Sequence, residues 1–573
     1  MKRTLLALLI ACATVAIAAP AIAQQAPGDW AGILEPTPGT RVPLIVHIAR
    51  DQAGSFRGTL DCPSQGAVGL ALAQITADAG RLAFAVPGVG GRYQAHWDVA
   101  TMSWKGEWSQ GGQQGELRFS AVPPPGPVPA DWQLPPDTAI AKLIAERNAP
   151  RVGQGIVVGV LGPQGQRFVA GGTGAGAKVD RHTLFEIGSM SEVFTGLILA
   201  DMANKGEVSL ADPAAKYLPK GHHMPERGGR QITLRDLSTH RSGLPPLADD
   251  MDALDRLDGP FADYGEAKLL AFLDRYQLMH DIGSRWDRSS LGVGLLGYLL
   301  ARAAHTDYET LLRNRITGPL GMKDTAITVS PAEAGRLAPP FDAYMRPAKP
   351  WDLGVFAGAD GIHSSAADLL IFAGAVLDPQ SPIAAAVKTA LSVRLPVVAQ
   401  QLDQALGWQV SHGGPGGGEL WQGDGRTGGY RATLALEPAK GRAEVVLINS
   451  AAEPSAIDLG LHLLLGTTIF QTAPVPAAPP APTKRTEIAL PAAALDKFVG
   501  RYDFGNGVVV AVTRDGATLR VLREGMPEAQ ALPIFPEAPL AFFWKALDAQ
   551  IRFTTDANGV VTGAVLAGKR VTP

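Results

Sequence analysis

Cysteine is almost absent from this chain: two among 573 residues, Cys12 and Cys62. That excludes a disulfide scaffold, and no CxxC pair or Cys/His cluster offers a zinc site. Charge is also sparse. Asp, Glu, Lys and Arg make up 18% of the residues, against ~25% in an ordinary soluble protein. The net charge of −3 removes any global electrostatic case for nucleic-acid binding. Past the N-terminus no uninterrupted apolar run reaches the ~18 residues of a membrane-spanning helix. A Gly-rich phosphate loop and a dinucleotide fingerprint are both missing, so the sequence implies no cofactor and no metal. What is plentiful is glycine and proline, 66 and 45 residues, which favours turns, β-structure and linkers. A hydrophobic content of 46% rules out bulk disorder.

The first residues have the pattern of an export signal. Lys2 and Arg3 supply positive charge, Leu5 to Ala19 an apolar stretch, and Ala21-Ile22-Ala23 a small-residue cleavage site. Residues 1–23 are therefore expected to be a signal peptide, with the mature chain starting at Gln24 in a bacterial periplasm. A lipoprotein anchored at Cys12, within Leu9-Ile10-Ala11-Cys12, is the lesser alternative. After cleavage at Ala23 one cysteine is left, and no internal disulfide forms.

Two proline-rich stretches divide the remainder, 122–136 and 472–485. Proline at this density sustains neither a helix nor a central strand and favours extended spacers. The expected order is an all-β domain at 24–121, a linker, a larger domain at 137–471, a second linker, and an all-β domain at 486–573. In the first domain Leu44 to Ile48, Leu82 to Val86 and Trp104 to Trp108 alternate apolar and polar residues. The last has the same character over Gly507 to Thr513 and Thr518 to Leu522. Both read as small barrels or sandwiches. Their aromatics, Trp30, Trp97, Trp104 and Trp108 in one and Tyr502, Phe542, Phe543 and Trp544 in the other, suit core packing better than a ligand face.

The middle domain mixes helices with strands. Ser189 to Lys205 is apolar nearly all round, so a buried helix is expected there, ending at Gly206. A second is expected over Leu291 to Ala304. Tyr430–Leu436 and Glu444–Asn449 read as a hairpin at the centre of an antiparallel sheet.

Within this domain, Phe185-Glu-Ile-Gly-Ser-Met-Ser-Glu-Val-Phe-Thr-Gly-Leu197 resembles the nucleophile motif of the serine β-lactamase and penicillin-binding protein superfamily. It looks closest to the class C-like serine hydrolases, which include esterases, D,D-peptidases and D-aminopeptidases. Further similarities follow in order: Leu210 to Pro219, Ile232 to Pro245, Gly283 to Asp287, Ala357 to Asp368 and Gly425 to Tyr430. The resemblance implies an α/β (α+β) fold, an antiparallel sheet flanked by helices. It places the nucleophile at Ser189 and a pocket with backbone oxyanion donors at Ser189 and Arg426, followed by Thr427 and Gly428.

Family members handle protons with Ser-x-x-Lys, a Tyr-x-Asn loop and a Lys- or His-x-Gly strand. Here Glu192 stands at the lysine position, Arg288 at the tyrosine, Ser290 at the asparagine and Gly423 at the strand cation. A one-residue slip would offer Gln422 instead of Gly423. A carboxylate of ordinary pKa ~4.3 is a poor base for a serine hydroxyl, and arginine does not deprotonate. Glu192, three residues from Ser189, is expected to face it and to pair with Arg288. Other histidines weigh less: His240 sits in a structural turn, His363 precedes a helix cap, and His412 lies in a solvated Gly-rich turn.

Two readings stay open at this point. One is an impaired or non-catalytic homologue that binds a small molecule, peptide, peptidoglycan fragment or partner protein in the old cleft. The other is an active hydrolase in which Ser189 works with a rebuilt base.

Overall fold

The computed structural model describes residues 26–571 apart from short breaks. The breaks of five residues or more are 123–130, 249–263, 413–417, 470–474, 476–484, 504–508 and 524–530. The expected signal peptide with Cys12, and most of both proline-rich stretches, lie outside the described residues.

Residues Gly28 to Val122 form one nine-stranded sheet in which all observed strand pairs are antiparallel. Its core holds Trp30, Phe84, Tyr93, Trp104, Trp108 and Phe119, with Trp97 half-buried against it. Cys62 is buried there too, in no disulfide. The aromatics therefore fill the interior, and Trp30, Trp97 and Trp104 meet edge to face with centroids 5.1–6.0 Å apart. Residues Gly500 to Val571 form an eight-stranded meander. Tyr502, Phe542 and Trp544 lie in its core, and Phe543 is buried as well.

Between them a second nine-stranded antiparallel sheet is flanked by helices. Its central strands run in the order Gly165–Gly174, Gly155–Gly162, Arg442–Ile448, Arg431–Glu437 and Leu420–Arg426. Side chains alternate across a strand, and here both faces are buried. Ile156, Val158 and Val160 join Val446 and Ile448 against the helices Asp137–Asn148 and Ile457–Leu465. Val157, Val445, Leu447, Leu434 and Leu436 face the larger helical body. The expected hairpin is present, with Arg431–Glu437 paired to Arg442–Ile448. Burial on both faces leaves Glu444 in an apolar layer. Thr433 donates to it at 3.3 Å, and burial pushes its carboxyl up to about 8, so it is protonated at neutral pH. Gly460 makes room for it: a Cβ there would lie 2.5 Å from the carboxylate.

The buried helix spans Ser191–Asn204, preceded by a single 3-10 turn, Gly188–Met190. Val193, Phe194, Leu197, Ile198, Leu199 and Met202 are all within 1% of full burial. Gly206 follows the helix end at φ +72°. The second helix runs Ser290–Ala303, one residue earlier than its pattern suggested, because Ser289 caps it by accepting the Gly292 N–H at 2.9 Å. No described helix is long and apolar enough to cross a membrane.

Two glycines bring the serine turn onto the sheet. Gly188 has φ +52°, and a Cβ on it would sit 2.6 Å from the Arg426 nitrogen. A Cβ on Gly425 would collide with the carbonyl oxygen of Ile187. Backbone cannot yield as a flexible side chain can, so Gly425→Ala is expected to cost about 3 kcal/mol or more. Urea denaturation of the full chain measures it; a cost under about 1 kcal/mol would show that the turn can move away from the strand.

Candidate active site

Ser189 opens the turn below the Leu420–Arg426 strand. Its hydroxyl caps no helix. It donates instead to Asp360 Oδ1 at 2.6 Å. Asp360 lies 171 residues away in sequence and is only 6% exposed. Its segment, Ala357–Asp360, is pinned to the serine turn by several bonds. Ile187 N donates to Ile362 O at 3.0 Å, and Ile362 N to Ser191 Oγ at 3.1 Å. Thr195 Oγ1 donates to Gly358 O at 2.6 Å. Gly358 meets Gly297 of the Ser290–Ala303 helix so closely that a Cβ on either would be 2.9 Å from the other's Cα.

Glu192 lines the same cavity as Ser189, but its carboxylate is engaged elsewhere. Arg288 Nη2 donates to Oε1 at 3.2 Å, so the expected ion pair is present. His240 Nε2 contacts Oε2 at 3.1 Å. His240 Nδ1 accepts the Ser289 N–H at 3.2 Å, which puts the ring proton on Nε2, facing Glu192. His240 is thus buried, held at φ +56°, and already committed on both nitrogens. Trp286 stands edge-on to it, with centroids 5.7 Å apart.

This arrangement sets the carboxylates apart. Burial pushes Glu192 upward, but Arg288 and His240 outweigh it and hold the group below the usual range. Burial, reinforced by the charge of Glu192, pushes Asp360 up to about 6, against hydrogen bonds from Ser189 and Ser290 and the charge of Arg288. Asp424, half-buried on the strand, is raised by burial against Arg288 and Arg426. The Glu192 carboxylate is therefore not made more basic by its surroundings. The basic carboxylate is a different one.

The remaining predicted positions fall around this core. Ser290 begins its helix and hydrogen-bonds Asp360. Gly423, Gln422 and Asp424 all line the cavity, with Gln404, Gly407 and Gln409. Gly423 packs against the serine helix, and a Cβ there would lie 2.7 Å from Val193 Cγ2. The Arg426 backbone lies beside Gly188, next to the Ser189 position that the resemblance pairs with it. Thr427 lies near Glu186, whose carboxyl burial raises to about 7. Trp351 N donates to Glu186 Oε1 at 2.5 Å, and the Trp351 indole covers Gly428. His363 is buried and reaches the Ile327 carbonyl at 3.0 Å. His412 pairs with Asp403 at 2.9 Å and is half-buried rather than solvated.

The cavity at Ser189 is about 10 Å³, the space of roughly one water molecule. Neither lysine nor tyrosine is among its described lining residues. Arg288 lines it with a side chain 30% exposed.

Asp360 and Asp424 carry no role in the sequence reading. Asp360 stands inside the quoted Ala357-Gly-Ala-Asp-Gly stretch, where one acidic residue among small ones was the available cue.

A carboxyl whose folded pKa lies above its unfolded value of ~3.9 makes the folded state less stable when ionised. For Asp360 that cost is present above about pH 6 and vanishes as pH falls below the unfolded value. Asp360→Asn is therefore expected to stabilise the protein by on the order of 2 kcal/mol near neutral pH, with no gain near about pH 4. Urea melts at the two pH values test this, and loss of stability near neutrality contradicts it. Glu192→Ala is expected to do the reverse. It strands Arg288 and His240 and costs about 2–4 kcal/mol, discounted from a fully buried pair because Arg288 is partly exposed.

Residues 140–467 match the beta-lactamase family model, and residues 484–572 match a domain of unknown function, DUF3471. The chain is 27% identical to a beta-lactamase of Lysobacter lactamgenus over 267 residues, 46% of this chain and 64% of that protein. It is 32% identical to the D-alanyl-D-alanine-carboxypeptidase/endopeptidase AmpH of Escherichia coli K12 over 189 residues, 33% of this chain and 47% of that protein. A beta-lactamase of Pseudomonas fluorescens is 25% identical over 305 residues, 47% of this chain and 80% of that protein. In the first two cases this chain spans less than two thirds of the relative. The family match covers more than half of the chain, and with the sheet, the serine turn and its neighbouring strand it establishes that this protein belongs to the beta-lactamase family.

Proposed function

We propose that this protein is an exported beta-lactamase-family homologue, resident in a bacterial periplasm, whose inherited acyl transfer to β-lactams and D-amino-acid peptides is strongly impaired. Its cleft serves to bind a peptide or peptidoglycan fragment rather than to turn it over rapidly. One observation carries this reading: the position from which the family's lysine acts holds Glu192, locked between Arg288 and His240.

Serine acylation needs a group that accepts the hydroxyl proton and returns it to the leaving group. Of the groups around Glu192 none is free to do so: Glu192 is held ionised at low basicity, Arg288 cannot deprotonate, and both His240 nitrogens are engaged, which leaves only the Asp360 carboxylate in contact with the hydroxyl. Loss of one general acid–base group costs ~10²–10⁴-fold in rate. The three carboxylates Glu192, Asp360 and Asp424 near Ser189 also weaken the positive potential that a tetrahedral oxyanion requires.

Incubation of the full chain with a fluorescent penicillin is expected to give no Ser189-dependent adduct and no measurable β-lactam hydrolysis. Rapid labelling abolished by Ser189→Ala would refute the impairment. Soluble peptidoglycan fragments are expected to bind saturably in calorimetry, and more weakly to Arg288→Ala. Absence of binding would refute the ligand-binding role. Restoring the motif with Glu192→Lys, Arg288→Tyr and Ser290→Asn is expected to return some penicillin acylation. Adding Gly423→His requires room at Val193 and is best combined with Val193→Ala.

A second reading, an active hydrolase with a rebuilt base, is favoured by a separate observation: the short hydrogen bond from Ser189 to Asp360.

A further inference from the structure

We propose that Asp360 is the general base of Ser189, and that the two form a Ser–Asp dyad able to cleave small, uncharged, activated esters. This rests on Ser189 being the retained acyl site. It does not depend on the poor handling of β-lactams argued above.

Distance comes first. A base must lie about 2.6–3.2 Å from the proton that it removes, and Asp360 Oδ1 is 2.6 Å from Ser189 Oγ. Among the described residues this is the hydrogen bond made by that hydroxyl, and the carboxylate is its acceptor. Rigidity comes second. Asp360 cannot drift from the serine, because Thr195, Ser191 and Gly297 pin its segment to both buried helices. Basicity comes third. Burial brings Asp360 to about 6, close to an unperturbed imidazole at ~6.5. A carboxylate of that basicity is ionised at neutral pH and accepts a proton about as well as histidine does.

The charged groups around it define the pH response. On the serine helix is Glu192, backed by His240. From the segment before the Ser290–Ala303 helix come Arg288 and, at its start, Ser290. From the strand come Asp424 and Arg426. Glu192 stays ionised because Arg288 and His240 hold it so. Asp360 shares Arg288 with Glu192 and Asp424 and is raised by burial, so it is the carboxylate in direct contact with the nucleophile that is pushed towards neutrality.

The reaction balances within this pair. Ser189 Oγ bonds to the acyl carbon while its proton passes to Asp360 Oδ1. The resulting oxyanion collapses, the bond to the alcohol oxygen breaks, and the proton on Asp360 goes to that oxygen. Water then attacks the acyl carbon and gives one proton to Asp360, the bond from that carbon to Ser189 Oγ breaks, and the carboxylic acid leaves. Asp360 finally returns its proton to Ser189. The pair changes charge as a serine–histidine pair does, by one unit at the base. The difference is that the base goes from negative to neutral, not from neutral to positive. Substrates that bring their own carboxylate meet the nearby Glu192 and Asp424, whereas a neutral ester does not.

The test is labelling of the full-length protein by an uncharged fluorophosphonate, read by intact mass, together with the acylation burst from p-nitrophenyl acetate. The expected result is one adduct, absent in Ser189→Ala, whose rate rises with pH through about 6 and then levels. Asp360→Asn keeps the shape and a hydrogen-bond partner for Ser189 but is expected to lose about 100-fold or more in rate and its pH dependence. Its thermal unfolding shows that it is folded. Asp360→Glu, a longer carboxylate, is expected to retain part of the rate.

A labelling rate in Asp360→Asn equal to wild type would overturn the dyad. So would a flat pH profile in the wild type, or a folded wild-type protein that takes no label. These failures are separable from failure of the proposed function. No label with either reagent sinks the dyad and leaves the binding role standing. Rapid penicillin labelling that survives Asp360→Asn sinks both, and rapid penicillin labelling that depends on Asp360 sinks only the impairment.

Discussion

The contact on which the site depends is backbone against backbone. The turn Ile187–Met190 rests directly on the strand that ends at Arg426, and Gly188 and Gly425 are the residues that let it. Neither has space for a single carbon more. This holds Ser189 in the lining of the cavity and the Arg426 nitrogen beside Gly188, whatever the surrounding side chains are. A scaffold held in this way is insensitive to side-chain replacement around it. The backbone geometry at Ser189 therefore does not depend on which side chains stand around it.

The charge at position 192 then organises those replacements. A lysine there would repel Arg288; a glutamate requires it. Glu192 is buried, and an unpaired buried carboxylate would be costly. Arg288 and His240 answer that cost, and each consequently ceases to be available to Ser189. The serine hydroxyl, in turn, finds its partner in Asp360. Two carboxylates close together thus acquire different characters from their neighbours alone: one held ionised, one raised towards neutrality. Separation of this kind is the usual physical basis for dividing acid and base roles in a site.

The flanking β-domains present the opposite case. Their aromatic residues turn inward and spend themselves on packing. Ring edges meeting ring faces satisfy a small core without disulfides, in keeping with the scarcity of cysteine.

Much of this was legible in the residues. Alternation over Leu44 to Ile48 and the β-rich run Gly507 to Thr513 pointed to strands, found at Thr40–Arg50 and, within the described residues, at Val509–Asp515. The all-round apolar body of Val193 to Met202 specified a buried helix. The motif order placed Ser189, Glu192 and Arg288 in one cleft, and opposite charge made their pairing predictable. The register of the hairpin at Arg431–Ile448 followed from a local turn. What the linear order could not supply was the partner of Ser189. Asp360 is 171 residues away, and no periodicity links the two. Its position follows from helix–helix contact at Gly297 and Gly358 and from strand-like bonds at Ile187 and Ile362. Its raised pKa follows from burial, which is a property of the packed molecule. The same holds for Glu192, whose sequence neighbours say nothing of His240 pressing on it. The sequence by itself determined which elements form and which charges must find partners. Only the tertiary structure decided which partner each one meets, because that depends on distances set by packing across hundreds of residues.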